Sequence, residues 1–223
     1  VKDLGDIPLK AKKVKQIVLL QTPHITNKLK KISFKLKCKF TLLRFLFRKN
    51  SKYVSKLIVQ TKLMKDEVES SMILPLKINI EVVLFPLPKN FNFTNSIKKI
   101  KSKKNKPDEK LDFFYPAALY EHKNHLFLNT ISDKTLDNVI NNIVLTIDSN
   151  SAIAQQIKKN VFKKIIFVGN LEYANIPARY EECDAVLFLS NDESFGIPLL
   201  EAAALKLPII VPNLPYAKTI LGD

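Results

Sequence analysis

The segment ESFGIPLLE, from Glu193 to Glu201, constrains the fold of this chain more than any other feature. The apolar run AVLFL at 185–189 precedes it, and the helix-forming run LLEAAAL at 199–205 follows it. Pro198 suits a first helical position, where its missing N–H removes no hydrogen bond. The pattern therefore indicates a buried strand, a sharp loop and a helix.

The loop inside this segment combines backbone donors with two carboxylates. Gly196 lets the backbone approach a ligand closely, and the amides of Phe195, Gly196 and Ile197 are those of a helix N-terminus, which favours anions. Glu193 lies in the loop and Glu201 in the first turn, so a ligand with both phosphate and hydroxyls, such as a nucleotide-sugar, would satisfy both features. The alternative is a plain helix N-terminus with a favourable Glu in its first turn, and spacing alone does not separate the two.

Short apolar runs alternate with helix-like segments along the rest of the chain. We expect strands at 16–20, 56–60, 78–85, 111–115, 142–147, 164–168, 185–190 and 208–211. We expect helices over 28–48 and 62–70, from near 123, and over 151–159, 177–183, 198–206 and near 216. Alternation of this kind predicts α/β architecture with parallel sheets. Ligands of such sheets bind beyond the carboxyl ends of the strands, where Pro116, Gly169 and Glu193 lie.

The net charge of +15 is concentrated in the first half of the chain. Residues 1–110 carry 27 Lys and Arg against 8 Asp and Glu, a net charge of +19, whereas residues 111–223 carry 9 against 13, a net charge of −4. This asymmetry predicts two modules, over 1–88 and 111–223, that a basic linker or loop at 89–110 separates. The lysine-rich linker is typical of a solvated tether, with a phosphate-binding arm as the alternative.

Several classes of protein do not fit this composition. No apolar run approaches the ~20 residues that span a bilayer, and the polar opening of the chain lacks the pattern of a signal peptide. Cys38 and Cys183 lie far apart without a CxxC motif, which is typical of reduced thiols in a cytoplasmic protein. The lysines are scattered and accompany no nucleic-acid-binding motif, so we expect no nucleic-acid partner.

The second half of the chain resembles the donor-binding domain of glycosyltransferase family 4, a group 1 family with the GT-B fold of two Rossmann-type domains. The resemblance rests on the E-x7-E pair Glu193 and Glu201 and on the run SFGIPLLEA at 194–202. Further matching segments are RYEECD at 179–184, AVLFLS at 185–190, PIIVP at 208–212, FFYP at 113–116 and HKNH at 122–125. In the first half, LGDIP at 4–8 and VQTK at 59–62 resemble landmarks of the acceptor-side domain.

The resemblance implies a role for individual residues. Glu193 would contact hydroxyls of the donor sugar, and Glu201 would contact the ribose. Ser194 and the backbone of 195–197 would lie along the sugar and the diphosphate, and Lys123 would pair with the diphosphate. Because a lysine and oriented amides stabilise the charge of a departing nucleoside diphosphate, we expect no metal cofactor.

His24 is a second candidate catalytic residue beside Glu193. In the family a histidine at the end of an acceptor-domain strand reaches the donor sugar, and His24 follows the strand predicted at 16–20. The alternative is a histidine that only packs in a turn. For His122 and His125 we expect surface or packing roles.

Two features depart from the family pattern. Tyr115-Pro116 stands where members carry Gly-Arg, so an arginine ligand of the diphosphate is absent or supplied elsewhere, and Arg179 is expected in the short helix before the Glu loop. Only Gly5 lies in the first 168 residues, so the glycine-rich loop of an acceptor domain is missing. We expect an internal fragment or truncated product, with the first domain and the C-terminal end incomplete.

The helix predicted over 28–48 carries many lysines beside phenylalanines and leucines. One interpretation is a helix that lies on an anionic membrane surface, which suits relatives with lipid-linked acceptors. The alternative is a helix whose apolar face packs on its own sheet.

We therefore predict an α/β chain of GT-B-like fold that acts as a glycosyltransferase of hexosyltransferase type, retaining by family analogy and independent of metal. It would move a sugar from a nucleoside-diphosphate-sugar to a hydroxyl of a saccharide or lipid-linked acceptor in polysaccharide, lipopolysaccharide or glycolipid synthesis. Its location would be cytoplasmic or peripheral on the cytoplasmic membrane face. The alternative is a catalytically inactive truncated transferase that binds nucleotide-sugar or acts as a scaffold.

Overall fold

The computed structural model describes residues 2–3, 7–10, 16–26, 33–71, 74, 78–84, 87 and 110–222. The chain divides into two compact units. The first unit comprises Val1–Pro86, Asp192–Gly196 and Lys218–Asp223, and the second comprises Leu87–Asn191 and Ile197–Ala217. The basic linker predicted at 89–110 lies outside the described residues except for Lys110, so the domain limits at 88 and 111 stay a prediction.

The first unit contains a parallel sheet with strand order β1-β2-β3-β4. Its strands are β1 Lys2–Asp3, β2 Gln16–Leu19, β3 Val54–Val59 and β4 Asn79–Val82. The core against this sheet consists of Val18, Leu20, Ile25, Phe47, Val54, Leu57, Val59, Met64 and Val68. Described lysines of this unit, such as Lys37, Lys52 and Lys62, are exposed instead.

Two α-helices accompany the first sheet, α1 Phe34–Asn50 and α2 Lys62–Ser70. The Thr61 hydroxyl caps α2 by accepting a hydrogen bond from the Met64 amide at 3.2 Å, which confirms the predicted cap and helix. Helix α1 buries Phe47 but leaves Phe34 82% exposed. Residues 28–32 of the helix predicted over 28–48 lie outside the described part of the chain.

The second unit contains a parallel sheet with strand order β7-β6-β5-β8-β9. Its strands are β5 Leu111–Tyr115, β6 Ile140–Leu145, β7 Ile165–Phe167, β8 Ala185–Leu187 and β9 Ile209–Ile210. The chain runs outward from β5 to β7 and then returns to the other side of β5 at β8. This reversal creates a crevice beyond the carboxyl ends of β5 and β8, where ligands of such sheets bind. The predicted α/β fold with parallel sheets is confirmed.

The remaining helices are α3 Asp133–Asn138, α4 Lys159–Phe162, α5 Ile176–Glu182, α6 Ile197–Ala204 and α7 Pro215–Leu221. The core of the second unit includes Phe114, Tyr180, Cys183, Val186, Ala202, Leu205 and Leu207. Within residues 33–71 and 110–222, no helix combines the length and apolarity that crossing a membrane requires.

Two helix predictions in the second unit are wrong. Near Lys123 the chain forms 3-10 turns, Glu121–Lys123 and His125–Thr130, because Asn124 adopts the left-handed conformation with φ 55° and interrupts any longer helix. The segment 151–159 contains a 3-10 turn, Ala154–Gln156, and not a continuous helix. Ser and Asn side chains favour such turns by bonding to nearby backbone, as the Ser151 hydroxyl does with the Ala154 amide at 3.2 Å.

Candidate functional site

A cavity of about 300 Å³ lies in the second unit at the carboxyl ends of its strands. It is lined by Pro116, Ala117 and Ala118 after β5, Thr146 after β6, Asn170, Leu171, Tyr173 and Ile176 after β7, and Ile197, Pro198 and Glu201 of α6. Mostly apolar walls with a few polar groups are typical of a small-molecule site. Its position at the strand-order reversal agrees with the general location of ligands in doubly wound sheets.

Glu201 is the acidic side chain of this cavity and is only 2% exposed. It is the fifth residue of α6, one position further into the helix than the predicted start at Pro198 gives, so it lies just beyond the first turn. The reason is that the helix begins at Ile197, which makes Pro198 its second residue. A buried carboxylate is costly unless donors satisfy it.

Two tyrosine hydroxyls supply those donors. The Tyr173 hydroxyl donates to Glu201 Oε1 at 2.6 Å, and the Tyr180 hydroxyl donates to Glu201 Oε2 at 2.8 Å. Burial and the nearby Glu201 carboxylate raise the pKa of both phenols above the usual value, so both stay protonated and remain donors at neutral pH. The arrangement holds one carboxylate at the cavity wall with a donor on each oxygen.

The tyrosines differ in their surroundings. Tyr180 lies in α5, is fully buried, and packs edge-on against Phe114 with ring centroids 5.1 Å apart. Tyr173 lies in the turn before α5 and is 41% exposed at the cavity. Neither tyrosine was predicted as a site residue. Tyr180 lies in the RYEECD segment at 179–184, but nothing in the sequence links it to Glu201. Tyr173 lies outside the segments that match the family.

The Thr146 side chain fixes the part of the cavity wall that directly follows β5. The Thr146 hydroxyl accepts from the Ala117 amide at 3.0 Å and donates to the Ala117 carbonyl at 3.1 Å. These two bonds tie the loop after β5 to the end of β6. The backbone around Pro116 and Ala117 is therefore held in a defined position next to the cavity.

Lys123, the predicted diphosphate ligand, lies in the turn Glu121–Lys123 of the second unit. Its Nζ sits 5.4 Å from the ring centroid of Phe188, directly after β8. The neighbouring His122 carbonyl accepts from the Asn191 amide at 2.8 Å, so this turn packs against the chain leaving β8. Lys123 is not one of the described residues that line the cavity.

His125 follows Lys123 and is almost fully buried, at 1% exposed, beside the ring of Tyr115 with centroids 5.1 Å apart. Burial lowers the pKa of its imidazole to about 4, the Ala117 backbone opposes this effect, and the positive charge of Lys123 adds to it. The ring is therefore neutral at physiological pH. Its burial is in line with the packing role expected for it.

The loop after β8 carries the other predicted donor ligands. Gly196 has φ 62°, in the left-handed region that favours glycine, immediately before α6. Phe195 is 5% exposed, Glu193 and Ser194 are half-buried, and Ile197 is 42% exposed. Glu193 to Gly196 belong to the first unit and Ile197 to the second.

Within the first unit, His24 lies in the turn Pro23–Ile25 that follows β2, as the sequence predicts. Its Nδ1 is 3.2 Å from Asp192 Oδ2, and its ring is 4.7 Å from that of Phe40. The Ser194 carbonyl accepts from the Thr61 hydroxyl at 3.4 Å in the same unit. The structure thus groups His24 with Asp192, and it groups Glu201 with the two tyrosines in the other unit.

Arg179 lies in α5, as predicted, and its guanidinium pairs with Glu182 at 2.7 Å on an exposed surface. In the part of the chain that the structure describes, no cluster of three or more His, Cys, Asp or Glu side chains is arranged to hold a metal ion.

Comparison with known proteins gives two kinds of match in sequence. A family model described as Glycosyl transferases group 1 matches residues 96–223. The O-antigen chain mannosyltransferase RfbU of Salmonella typhimurium is 28% identical over 120 residues, which cover 52% of this chain and 33% of RfbU. The serotype-specific mannosyltransferase WbdA of Escherichia coli is 38% identical over 61 residues, which cover 27% of this chain and 8% of WbdA. The chain therefore matches a third or less of the length of these relatives.

A solved structure matches the fold. WaaG, a glycosyltransferase involved in lipopolysaccharide biosynthesis, aligns with a TM-score of 0.66 at 14% identity, over 97% of this chain and 60% of WaaG. At this identity the match concerns the fold alone, and it supports the GT-B assignment of the two parallel sheets.

Proposed function

The chain belongs to the glycosyl transferases group 1, and from this membership we propose that it transfers a sugar from a nucleoside-diphosphate-sugar to a hydroxyl acceptor in the synthesis of polysaccharide, lipopolysaccharide or glycolipid. Within group 1, the E-x7-E pair favours family 4. The observation that carries the proposal is the Glu201 carboxylate, held by two phenols in the wall of a cavity at the strand-order reversal of the second sheet.

Glu201 accepts hydrogen bonds from the ribose hydroxyls of the donor in this proposal. An ionised carboxylate has room for about four hydrogen bonds, and the two phenols use two of them. The remaining capacity suits a pair of neighbouring hydroxyls. The apolar cavity walls, Leu171 and Ile197 among them, suit the nucleoside.

The other roles come from the family resemblance. The amides of Phe195, Gly196 and Ile197, with Ser194, contact the donor diphosphate and sugar. Lys123 pairs with the diphosphate, where a positive charge stabilises the departing nucleoside diphosphate without a metal ion. Full activity in the presence of EDTA is the expected result, and loss of activity that Mg²⁺ or Mn²⁺ restores would contradict it.

Glu193 and His24 are the proposed catalytic residues. Glu193 orients hydroxyls of the donor sugar, and His24 reaches the same sugar. Family analogy favours retention of the anomeric configuration, which NMR of the first-formed product measures directly. An inverted product would contradict this part of the proposal.

The names of two relatives guide the choice of donor. RfbU and WbdA are both mannosyltransferases, so nucleoside-diphosphate mannose is the first donor to test, with a saccharide or lipid-linked saccharide as acceptor. UDP-, GDP- and ADP-linked hexoses complete the panel.

We also propose peripheral contact with an anionic membrane, on the cytoplasmic face by family analogy, and helix α1 supports the contact itself. Phe34, Leu42 and Phe45 are 82%, 57% and 58% exposed, and their spacing of eight and three residues puts them on one side of the helix. Exposed basic side chains border this side of the helix, namely Lys35 on one border and Lys37 and Arg48 on the other. An apolar strip between positive charges suits acyl chains beneath anionic headgroups. We name Phe34, Leu42 and Phe45 the α1 strip.

Flotation with vesicles tests the membrane contact. We expect binding to vesicles of phosphatidylglycerol and phosphatidylcholine that weakens as salt rises, because the attraction between opposite charges is screened. Absence of binding to anionic vesicles at low salt would contradict it.

A thermal-shift screen with the donor panel, followed by a transfer assay with the labelled hit, tests the proposed function. The true donor raises the unfolding temperature because it binds only the folded chain. Glu201→Gln should remove this shift, whereas the matched control Glu182→Gln, an exposed Glu of α5, should keep it. Binding without transfer would instead favour a catalytically inactive nucleotide-sugar-binding protein. The absence of any shift would overturn the proposal.

A further inference from the structure

The Tyr173–Glu201–Tyr180 cluster has a geometry that the family motif does not specify. Each phenol donates to a different oxygen of one carboxylate, at 2.6 Å and 2.8 Å. The donors come from two elements, the turn Tyr173–Asn175 and helix α5. The carboxylate therefore has little freedom to rotate about its terminal bond.

Fixing the carboxylate has a consequence for binding. A side chain that is already in its bound orientation loses less conformational entropy when the ligand arrives. The remaining lone pairs of the two oxygens then point along directions set by the phenols. Two hydroxyls on adjacent carbon atoms fit such a pair of acceptors, and a ligand with one hydroxyl does not use both.

The two phenols differ in what their loss would do. Tyr180 is fully buried against Phe114, so its hydroxyl serves the fold and the site together. Tyr173 is 41% exposed and its side chain lines the cavity. Removal of the Tyr173 hydroxyl therefore affects the orientation of Glu201 with little effect on the core.

We propose that Tyr173 and Tyr180 are positioning residues that set the Glu201 carboxylate to recognise a vicinal diol, and that Tyr173 in particular determines the preference for ribose over 2′-deoxyribose in the donor nucleotide. The inference rests on the proposed function, because it takes Glu201 as the ribose ligand. It goes beyond that function by assigning selectivity to a residue outside the E-x7-E segment.

Calorimetric titration of the chain with UDP, GDP and ADP, and with their 2′-deoxy counterparts, tests the proposal. For the nucleotide that binds, wild-type protein should prefer the ribose form by about tenfold, the effect of one hydrogen bond to a charged group. In Tyr173→Phe the ribose form should weaken by about tenfold while the deoxy form changes less than about twofold, so that the preference disappears. Tyr53→Phe, which removes a phenol in the first unit, should leave the preference intact.

A purely structural role for Tyr173 gives a different result. In that case both nucleotides weaken equally, or neither changes, and an unchanged ratio would overturn the proposal. If Tyr180→Phe folds, it provides a second test, and its preference for the ribose nucleotide over the deoxy form should also fall. With a labelled donor, Tyr173→Phe should raise KM by about tenfold and leave kcat within about twofold, because the reacting centre is untouched.

The same titration separates this proposal from the proposed function. A loss of the ribose preference in Glu201→Gln would identify Glu201 as the ribose ligand. If Tyr173→Phe nevertheless keeps the preference, the positioning role of Tyr173 is wrong and the proposed function stands. If wild-type chain binds none of the three nucleotides, both proposals fail.

Discussion

The two units of the chain share parallel sheets, but two of their glutamates, Glu81 and Glu201, lie under opposite conditions. In the first unit, Glu81 pairs with Lys56 at 2.6 Å while both side chains stay exposed, at 46% and 37%. In the second unit, Glu201 is 2% exposed and has a phenol donor on each oxygen. Solvent screens the first pair, so it contributes little to stability. The comparison indicates that the buried carboxylate with a donor on each oxygen, not the abundance of surface charge, marks the candidate site.

The largest expected effect distinguishes these two glutamates directly. Glu201→Ala removes the carboxylate that accepts from Tyr173 and Tyr180, and it opens a small cavity. We therefore expect the free energy of unfolding to fall by about 2–4 kcal/mol. Glu81→Ala should lower it by less than about 0.5 kcal/mol, because the pair is exposed. Urea denaturation measures both changes. An equal fall in the free energy of unfolding for the two variants would contradict the proposed difference between Glu201 and Glu81.

A pH effect of about the same size is expected from His125 in the second unit. Burial lowers the pKa of its imidazole from 6.5 to about 4, so between these values the unfolded chain binds a proton that the folded chain does not. Stability is therefore full above pH 6.5 and falls as the pH decreases towards 4. From pH 7.5 to pH 5 the loss is about 2 kcal/mol.

The control for this prediction is His125→Phe, which keeps an aromatic ring beside Tyr115 and removes the titration. In that variant the unfolding free energy should lose about 2 kcal/mol less over the same pH interval. An identical pH profile in wild-type chain and variant would show that His125 does not cause the loss.

The two phenols offer a finer comparison inside the second unit. Tyr180→Phe should lower the unfolding free energy by about 1–2 kcal/mol, because it leaves a buried carboxylate oxygen short of a donor. Tyr173→Phe should cost less than about 1 kcal/mol, since water reaches its exposed position and replaces the lost donor. Thermal or urea unfolding checks the order, and a larger loss for Tyr173→Phe would contradict it.

A smaller effect is expected on the surface of the first unit. Phe45→Ser in the α1 strip should weaken binding to anionic vesicles by several-fold, because it removes an apolar side chain that is 58% exposed. Stability should change by less than about 0.5 kcal/mol. Thr41→Ser, on the same exposed helix, is the matched control. Unchanged vesicle binding of Phe45→Ser would show that the α1 strip does not contact the membrane.

The smallest effect is expected for Arg179→Ala. Arg179 is paired with Glu182 on the surface of α5, so its removal should change stability by less than about 0.5 kcal/mol. Nucleotide affinity should change by less than twofold if Arg179 does not replace the arginine that the family places after the first strand of the domain. A tenfold loss of affinity would identify Arg179 as that missing ligand.

The sequence predicts the repetitive features of the fold well, because local patterns determine them. Strand β5 and helix α2 have the predicted bounds, and Thr61 caps α2 as its position suggests. Gly196, for which the sequence predicts close approach of the backbone, has a positive φ that glycine adopts without strain. In each case the signal lies within a few residues of the feature.

Features that depend on contacts between distant residues were not predictable in this way. Tyr173 and Tyr180 lie 28 and 21 residues before Glu201, to whose carboxylate their phenols donate. No local sequence pattern predicts such contacts. The left-handed Asn124 also converts an expected helix near Lys123 into two short turns. The sequence identified Glu201 as a candidate ligand, but only the packed structure supplies its donors.

A crystal structure of the chain with the nucleotide that raises its unfolding temperature tests the central claim most directly. We expect the nucleoside in the cavity of the second unit, with ribose hydroxyls within hydrogen-bonding distance of Glu201 and both tyrosine contacts retained. A nucleotide bound away from this cavity, or a Glu201 carboxylate bonded only to Tyr173 and Tyr180 in the complex, would contradict it.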